Sequence, residues 1–298
     1  MRCLARLFFL TGFALLAACT TREAERDSVS APSQPRVQLV QPIALAPTRI
    51  APVYGTAVAR GYSELVIDQR TGRVLHEQNA DGRRYPASLT KMMTLYILFE
   101  DIRAGRMRQT DLMTVSANAA AKPATKLGLQ EGETITVLDA IRAMSIKSAN
   151  DVATVVAEHV SGTEEAFADR MTRTAQSLGM SSTRFVNASG LPQAGQVTTA
   201  RDMAKLARAI KTRHARYTPI FSARSYYFRG RRYDATNKLL GRVQGVDGLK
   251  TGYIRLAGHN LAATARRNGK AIIVVVLGGK SRTARDETVT VLVNRHLQ

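Results

Sequence analysis

The pattern of apolar and polar positions changes several times along the chain. Residues 64–78 alternate between apolar and polar and contain a Thr-Gly pair at 71–72, which predicts a β-hairpin. From 92 to 99, apolar residues recur at helical spacing on more than one face, so we expect a buried helix there. Pro86 excludes helix before it and Ser88 suits an N-cap, so this helix should begin near Ser88.

The middle and the end of the chain differ in their periodicity. Amphipathic helical patterns occupy the ranges 134–148, 151–162, 164–179 and 198–211, and a last one covers 284–297. β-rich runs separated by glycines lie at 224–230, 245–254, 259–269 and 270–279. This order predicts an α+β domain, in which a mainly antiparallel sheet is flanked by helices and a helical lobe is inserted between its strands.

Composition adds that the chain is strongly basic. Its 298 residues are enough for one or two domains, and its formal net charge is +20. A nucleic-acid partner would explain that charge, but the arginines are scattered rather than clustered. A surface that tolerates anionic lipids and cell-wall polymers explains the charge equally well.

The N-terminal residues indicate export. Arg2 and Arg6 precede an apolar run over 7–18, which is typical of a signal peptide and short for a membrane span. Cys19 completes a Leu-Ala-Ala-Cys sequence that resembles a bacterial lipoprotein cleavage box, so we expect lipid on Cys19. The alternative is ordinary cleavage nearby, with Cys19 incidental. Export also argues against nucleic acid as the partner.

Three segments follow from these patterns. Residues 1–18 are predicted to be the signal peptide, and residues 19–54 a lipidated N-terminus with a proline-rich tether. Residues 55–298 are predicted to form one folded domain. The chain has only two cysteines, Cys3 and Cys19, and removal of the signal peptide leaves Cys19 alone. No disulfide within the chain is then possible, so the fold must depend on its core.

Three short motifs occur in order along the predicted domain. Residues 88–91 form the only S-x-x-K of the chain, and residues 250–252 form the only K-T-G. S-x-N occurs twice, at 116–118 and at 148–150. We select 148–150, because it connects two predicted helices and a side chain there can project across a cleft. The range 116–118 has the pattern of a strand end and loop.

The lysine of the first motif suggests nucleophilic catalysis. A serine hydroxyl is a weak nucleophile until a base takes its proton, and Lys91 lies one helical turn beyond Ser88 on the same face. Burial lowers the pKa of a lysine, and a nearby cation such as Lys250 lowers it further. Lys91 is therefore a candidate base, and the N–H of Ser88 is a candidate oxyanion donor. The alternative is that Lys91 reaches the surface and Ser88 is only a cap.

The three motifs together resemble those of the serine-type D-alanyl-D-alanine carboxypeptidases, the low-molecular-mass penicillin-binding proteins. The resemblance covers roughly Tyr62 to Leu297 and includes the blocks PASLTKMMT, SANDVA, FVNASGLP, TTARDMAKLA and TNKLLG. It implies a β-lactamase/transpeptidase-like fold. It also implies release of terminal D-alanine from peptidoglycan pentapeptides through an acyl-enzyme on Ser88, with β-lactams as covalent inhibitors. No cofactor or metal is implied, and the five histidines have no metal-binding spacing.

The resemblance implies roles for residues of the second motif. Ser148 would pass a proton between Lys91 and the leaving nitrogen of the substrate. Asn150 would hold the substrate amide.

The resemblance also implies a site for the terminal carboxylate of the substrate. Thr251 would bind that carboxylate, and Lys250 would supply positive charge. The backbone of Tyr253 would supply the second oxyanion donor, and Gly252 has no side chain, which lets a ligand approach the backbone. Arg285 resembles an arginine that supports this site, with an exposed surface arginine as the alternative.

Other functions stay open at this point. A D,D-endopeptidase would cleave cross-linked peptides by the same chemistry and is the nearest alternative. A β-lactamase is disfavoured, because the glutamates at 164–165 lie in a plain helical pattern and no other glutamate is clearly placed for deacylation. A non-catalytic cell-wall binder is disfavoured by the joint presence of Ser88, Lys91 and Lys250. The expected location is the periplasmic face of the cell envelope, with a membrane anchor through lipid on Cys19.

Overall fold

The structure is a computed structural model that describes residue 58 and residues 61–298. The predicted signal peptide, Cys19 and most of the predicted tether lie outside the described residues. The boundary between tether and domain stays a prediction. The described chain packs around one hydrophobic core that extends from the sheet into the helices.

A five-stranded antiparallel sheet forms the centre of the fold, with strand order β2-β1-β9-β8-β7. Its strands are β1 Ser63–Asp68, β2 Val74–Gln78, β7 Val246–Ile254, β8 Gly258–Arg267 and β9 Lys270–Gly279. Strand β1 pairs with β9, so the N-terminal hairpin and the C-terminal strands share one sheet. The predicted α+β fold class is confirmed.

Shorter strands and the helices complete the fold. Two separate hairpins pair β3 Leu112–Thr114 with β4 Thr134–Thr136, and β5 Ser225–Phe228 with β6 Arg231–Asp234. The helices are α1 Lys91–Arg103, α2 Ala117–Ala120, α3 Val137–Arg142, α4 Asn150–Ser161, α5 Glu164–Ser177, α6 Ala200–Arg213 and α7 Arg282–His296. Helices α2 to α5 form the lobe that the sequence places between the two groups of strands.

The large sheet is covered on both faces. Side chains of β1 alternate, and Leu65 and Ile67 line a cleft together with helix α6. On the opposite face Glu64 lies 3.2 Å from His76, whose ring lies 6.2 Å from the ring of His296 in α7. Because both faces are packed, β9 is a continuous apolar strand and is buried from 272 to 277.

Helix α1 lies in the interior, as its apolar pattern predicts, but it starts later than expected. Every residue from Lys91 to Phe99 is buried. Residues Ala87–Thr90 form a 3₁₀ turn, and no side chain caps α1, so the prediction that Ser88 is an N-cap is wrong. Ala87 has a left-handed φ of 49°, which makes this turn tight. The Ser88 hydroxyl contacts the Lys91 side chain instead of a backbone N–H.

The helix predicted over 134–148 is also modified. Thr134–Thr136 pairs with β3, and Thr136 then caps α3 by accepting a hydrogen bond from the Asp139 N–H at 3.1 Å. Helix α3 continues into a π-helical turn, Ala143–Lys147, which ends at Ser148 with a left-handed φ of 69°. Helix α6 begins with a similar cap, because the Thr199 hydroxyl accepts from the Asp202 N–H at 3.1 Å.

No helix among residues 61–298 combines the length and the apolar composition that crossing a bilayer requires.

Candidate active site

The Ser88 turn is held against the edge of the large sheet. The Asn260 side chain on β8 is fully buried and donates to the carbonyl groups of Tyr85 and Pro86, at 3.0 and 3.1 Å. On β7, a Cβ atom added to Gly252 would lie 3.1 Å from the Ser88 nitrogen. The backbone of the turn and the backbone of β7 therefore approach closely, and a side chain at position 252 would crowd the turn.

Lys91 is the most constrained polar side chain of the site. Its Nζ lies 2.7 Å from the Asn150 Oδ1 atom, 2.6 Å from the Ser189 carbonyl oxygen and 3.3 Å from the Ser88 Oγ atom. An ammonium group has three donors, whereas a neutral amine has two donors and one lone pair. In the neutral form the two short contacts take both N–H groups. The lone pair then faces the Ser88 hydroxyl, and Lys91 is able to take its proton.

The surroundings of Lys91 favour that neutral form. Lys91 is fully buried, and desolvation holds its pKa well below the ordinary value of a lysine, with the charge of Lys250 acting in the same direction. The carboxylates of Asp151 and Glu164 oppose this shift. A lysine that loses its proton readily, beside a serine hydroxyl, is able to act as a general base.

A second buried lysine, Lys250, lies on strand β7. Lys250 Nζ donates to the Ser148 hydroxyl at 2.8 Å and to the Thr251 carbonyl at 2.9 Å. Burial lowers the pKa of Lys250 to about 7, and the nearby charge of Arg285 contributes to this shift. The left-handed conformation of Ser148 directs its side chain from the lobe toward β7. The site thus combines residues from separate elements: Lys250 from the sheet, Lys91 from α1, Ser148 from the end of the π-helical turn and Asn150 from α4.

Asn150 connects Lys91 to a loop of the lobe. Its Nδ2 atom donates to the Pro123 carbonyl at 3.0 Å, and its backbone N–H donates to the Thr125 carbonyl at 2.7 Å. Its Oδ1 atom accepts from Lys91. The acceptor orientation of the Asn150 amide is therefore set by the loop, and Lys91 meets an oxygen rather than an NH₂ group.

Strand β7 is the edge of the sheet and faces the site. The Thr251 hydroxyl donates to the Thr236 hydroxyl at 2.7 Å, and Thr251 is buried. Tyr253 is exposed and stacks on His259, with the ring centroids 4.4 Å apart. Because β7 pairs on one side only, alternate N–H groups along it point away from β8 toward the Ser88 side.

Arg285 is buried in α7, not exposed on the surface. Its Nη1 atom donates to the Asn260 carbonyl at 3.2 Å, and its Nε and Nη2 atoms donate to Asp286 at 2.9 and 2.6 Å. Burial lowers the pKa of Arg285, and Asp286 opposes that shift. Arg285 reaches the site through its charge, which acts on Lys250.

The two S-x-N sequences have different surroundings. Ser116 caps the short helix α2 by accepting from the Ala119 N–H at 3.0 Å, and it donates to Glu158 at 2.5 Å. Neither contact involves Ser88 or Lys91. Ser148, by contrast, contacts Lys250. Among residues 61–298, no group of three or more His, Cys, Asp or Glu side chains is arranged to hold a metal ion.

The family of this chain follows from its sequence. Residues 55–281 match peptidase family S11, described as D-alanyl-D-alanine carboxypeptidase. The chain belongs to this family. Solved structures of penicillin-binding proteins have the same fold: penicillin-binding protein 5 of Haemophilus influenzae has a TM-score of 0.76 at 31% identity, covering 81% of this chain and 71% of that one.

The curated relatives of this chain match it over only part of their own length. The chain is 36% identical over 231 residues to D-alanyl-D-alanine carboxypeptidase DacA of Escherichia coli K12, covering 75% of this chain and 57% of DacA. It is 33% identical to DacF of Bacillus subtilis, covering 76% of this chain and 60% of DacF. The chain thus spans less than two thirds of these relatives. It covers 98% of penicillin-binding protein D2 of Listeria monocytogenes in its ampicillin-bound form, at 31% identity and a TM-score of 0.68.

Sequence reasoning missed several residues of this family S11 site. The role of Asn260 was not predicted, although a polar residue within the apolar stretch of β8 is a signal for a buried hydrogen-bonding role. Ser189 contributes only its carbonyl, which no side-chain pattern reveals. Glu164 was assigned to a plain helix, but it is buried and hydrogen-bonded to the Ala188 N–H at 3.0 Å. Glu164 is the first residue of α5, and nothing in the local sequence pattern indicates its contact with Ala188.

We predict that Gly190→Ala destabilises the Ser88 turn. Gly190 has a φ of +85°, and an added Cβ would lie 1.9 Å from the Ala87 carbonyl oxygen. The left-handed conformation costs roughly 1–2 kcal/mol for alanine, and the overlap should add about 1–3 kcal/mol. Urea unfolding measures the change.

Gly105→Ala is the matched control, because Gly105 has a φ of +72° with nothing within 4 Å of the added Cβ. Its free energy of unfolding should fall only by the roughly 1–2 kcal/mol that the left-handed conformation costs for alanine. Equal losses in the two variants would contradict a close contact between Gly190 and the turn.

Proposed function

We propose that this protein is a serine D,D-carboxypeptidase that removes the terminal D-alanine from peptidoglycan pentapeptides through an acyl-enzyme on Ser88. The observation that carries this proposal is the fully buried Lys91 amine 3.3 Å from the Ser88 hydroxyl. The N–H groups of this amine are already used by Asn150 and by the Ser189 carbonyl. Membership of family S11 supports the same reaction. The proposed reaction needs no metal or cofactor.

Acylation begins at Ser88. Lys91 takes the hydroxyl proton as Ser88 Oγ attacks the carbonyl carbon of the penultimate D-alanine. The resulting oxyanion accepts hydrogen bonds from the N–H groups of Ser88 and Tyr253, and the close approach of the Ser88 turn to β7 at Gly252 supports this assignment. A serine attacking without such donors would face an uncompensated negative charge.

Departure of the terminal D-alanine requires a proton on its nitrogen. We assign this step to Ser148, whose hydroxyl accepts a hydrogen bond from Lys250 at 2.8 Å. The proton moves from Lys91 through Ser148 to the leaving nitrogen, the C–N bond breaks and D-alanine leaves. Water then attacks the ester carbonyl as Lys91 takes its proton. The bond between the acyl carbon and Ser88 Oγ breaks, and Lys91 returns the proton to that oxygen, which restores both groups.

The substrate is oriented at both ends of the scissile bond. Asn150 holds the substrate amide through its side chain. Thr251 exchanges its hydrogen bond to Thr236 for one to the terminal carboxylate. Lys250 and Arg285 supply the positive charge that favours an anionic chain end over an amide or an extended peptide.

β-lactams are the expected covalent inhibitors, because an acyl-enzyme on Ser88 would form from their strained amide in the same way. Two solved relatives at 30–31% identity, both penicillin-binding protein D2 of Listeria monocytogenes, are ampicillin- and cefotaxime-bound forms. Peptidoglycan stem peptides are the proposed natural substrates. A nucleic-acid partner is not part of this proposal.

A D,D-endopeptidase is the second candidate. One relative, the D-alanyl-D-alanine endopeptidase of Pseudomonas aeruginosa, is 28% identical over 227 residues, covering 72% of this chain and 70% of that enzyme. The chain therefore covers a larger share of the endopeptidase than of DacA, at lower identity. Both reactions use the same acyl-enzyme, so only the products separate them.

The location that fits this function is the periplasmic face of the cell envelope. The N-terminal signal sequence and the Leu-Ala-Ala-Cys box support export followed by lipid attachment at Cys19. The proline-rich residues after Cys19 would then separate the catalytic domain from the membrane. The positive charge of the chain favours an anionic membrane or wall surface.

Wild-type protein should release D-alanine from a pentapeptide, and Ser88→Ala should release none, because the nucleophile is absent. Product analysis by mass spectrometry with a pentapeptide and a cross-linked muropeptide measures both activities. Ser116→Ala is the matched control and should keep the activity, since Ser116 contacts α2 and Glu158 only.

Ser88→Ala should also lose covalent labelling by a fluorescent penicillin while its circular dichroism stays that of wild type. Cleavage of the cross-link without release of terminal D-alanine would show that the protein is an endopeptidase and not a carboxypeptidase. Labelling that persisted in Ser88→Ala would reject both.

For a peptide with a free terminal carboxylate, kcat/KM should fall as the pH rises through about 7, because the lowered pKa of Lys250 lies at about 7. Deprotonation removes the positive charge that attracts the carboxylate, and kcat/KM reports groups of the free enzyme. The same peptide with a terminal amide is the control and should lack this decrease. An equal decrease for both peptides would assign it to another group.

Cys19→Ala should release the protein from bacterial membranes, whereas wild type should pellet with them at low and high salt. Several acyl chains hold a protein stably, but attraction through positive charge alone weakens as salt screens it. Fractionation at two salt concentrations measures both forms. Identical partitioning of the two would reject lipidation, and release of wild type by salt alone would leave charge as the membrane contact.

A further inference from the structure

Glu164 is a buried carboxylate next to the site that the proposed reaction does not use. Its side chain is 9% exposed. One oxygen, Oε1, accepts from the Ala188 N–H at 3.0 Å and from the Thr154 hydroxyl at 3.3 Å. The other oxygen, Oε2, accepts from Lys122 Nζ at 2.8 Å. A buried carboxylate with this many partners is fixed in position.

Each partner of Glu164 belongs to a segment that contacts the catalytic groups. Ala188 precedes Ser189, whose carbonyl accepts from Lys91 at 2.6 Å. Lys122 precedes Pro123, whose carbonyl accepts from Asn150 at 3.0 Å. The carboxylate of Glu164 therefore joins the 187–190 loop to the 122–125 loop.

We propose that Glu164 is a positioning residue for the reaction, and that its carboxylate holds together the two loops whose carbonyl groups orient Lys91 and Asn150. This inference rests on the proposed acylation of Ser88 by way of Lys91. If the loops separate, Lys91 loses an acceptor and its lone pair turns from the Ser88 hydroxyl. Misplacement by about 1 Å is enough to slow a positioned reaction by roughly 100-fold.

The charge of Glu164 gives this role a signature that a purely structural contact lacks. Three charged groups act on Lys91: Lys250 on β7, Asp151 on α4 and Glu164 on α5. Lys122 pairs with Glu164. The negative charge of Glu164 raises the pKa of Lys91 against the lowering by burial and by Lys250. Removing that charge should lower the pKa of Lys91 further, so the neutral amine persists to lower pH.

Two variants separate position from charge. Glu164→Gln has no charge and only one acceptor oxygen, so it keeps Ala188 and Thr154 but loses Lys122, and its acylation rate at the pH plateau should fall by up to roughly 100-fold. The acid limb of its rate profile should move to lower pH. Glu164→Asp keeps the charge but is one methylene shorter, so its plateau rate should fall by up to roughly 100-fold with the acid limb unmoved.

The measurement is the second-order acylation rate with a fluorescent penicillin from pH 5 to pH 9, with folding monitored by circular dichroism. Glu165→Gln is the matched control, because Glu165 is the next residue of the same helix and is exposed. Both Glu164 variants behaving like Glu165→Gln would overturn the proposal. Rate losses that follow only the unfolded fraction, with no movement of the acid limb in Glu164→Gln, would also overturn it.

Amide hydrogen exchange of residues 186–190 tests the same inference without turnover. Glu164→Asp should lose protection at the Ala188 amide, and Glu165→Gln should keep it. Unchanged protection at Ala188 would overturn the positioning role even if wild type were inactive. A wild type that keeps this protection but forms no acyl-enzyme would overturn the proposed function alone.

Discussion

The structure depends on keeping the side chain of one lysine out of water. Lys91 stands at the start of a helix that is buried on all sides, and its amine meets two fixed acceptors and one hydroxyl. Water at this position would stabilise the ammonium form and remove the base. The apolar character of α1, the packing of the lobe and the edge of the sheet all serve to exclude water from this amine.

Burial of two lysines in one cleft has a cost that the rest of the fold must offset. The pKa of Lys250 determines how this cost depends on pH. It falls from an ordinary value of 10.5 to about 7 in the folded state. Between these pH values the unfolded chain binds more protons, so the contribution of Lys250 to stability improves as the pH rises. Below about 7 both states are protonated and the full burial cost applies. The left-handed conformations of Ala87 and Ser148 add strain at the same place.

Neither the sheet nor the helical lobe contains the site alone. The sheet supplies Lys250 and the edge of β7, and through Asn260 it also anchors the Ser88 turn. The lobe supplies Ser148 and Asn150, which face the sheet across the cleft. In the proposed reaction the lobe matters as much as the serine, because its loops orient the groups that contact Lys91. Under this proposal, the position of a loop affects the protonation of Lys91.

The sequence by itself determined the order of the elements, the burial of α1 and the three motifs, because side-chain periodicity and short motifs are local properties. Other features required the folded chain. The tertiary structure decided that Ser88 contacts Lys91 and does not cap a helix, because the left-handed turn before it depends on contacts with the sheet. It likewise decided that Ser116 is a helix cap, and that Glu164 and Arg285 are buried, because these properties depend on residues far away in the chain. A local pattern reports which face of a helix is apolar, but it carries no information on which distant loop will cover a single charged side chain.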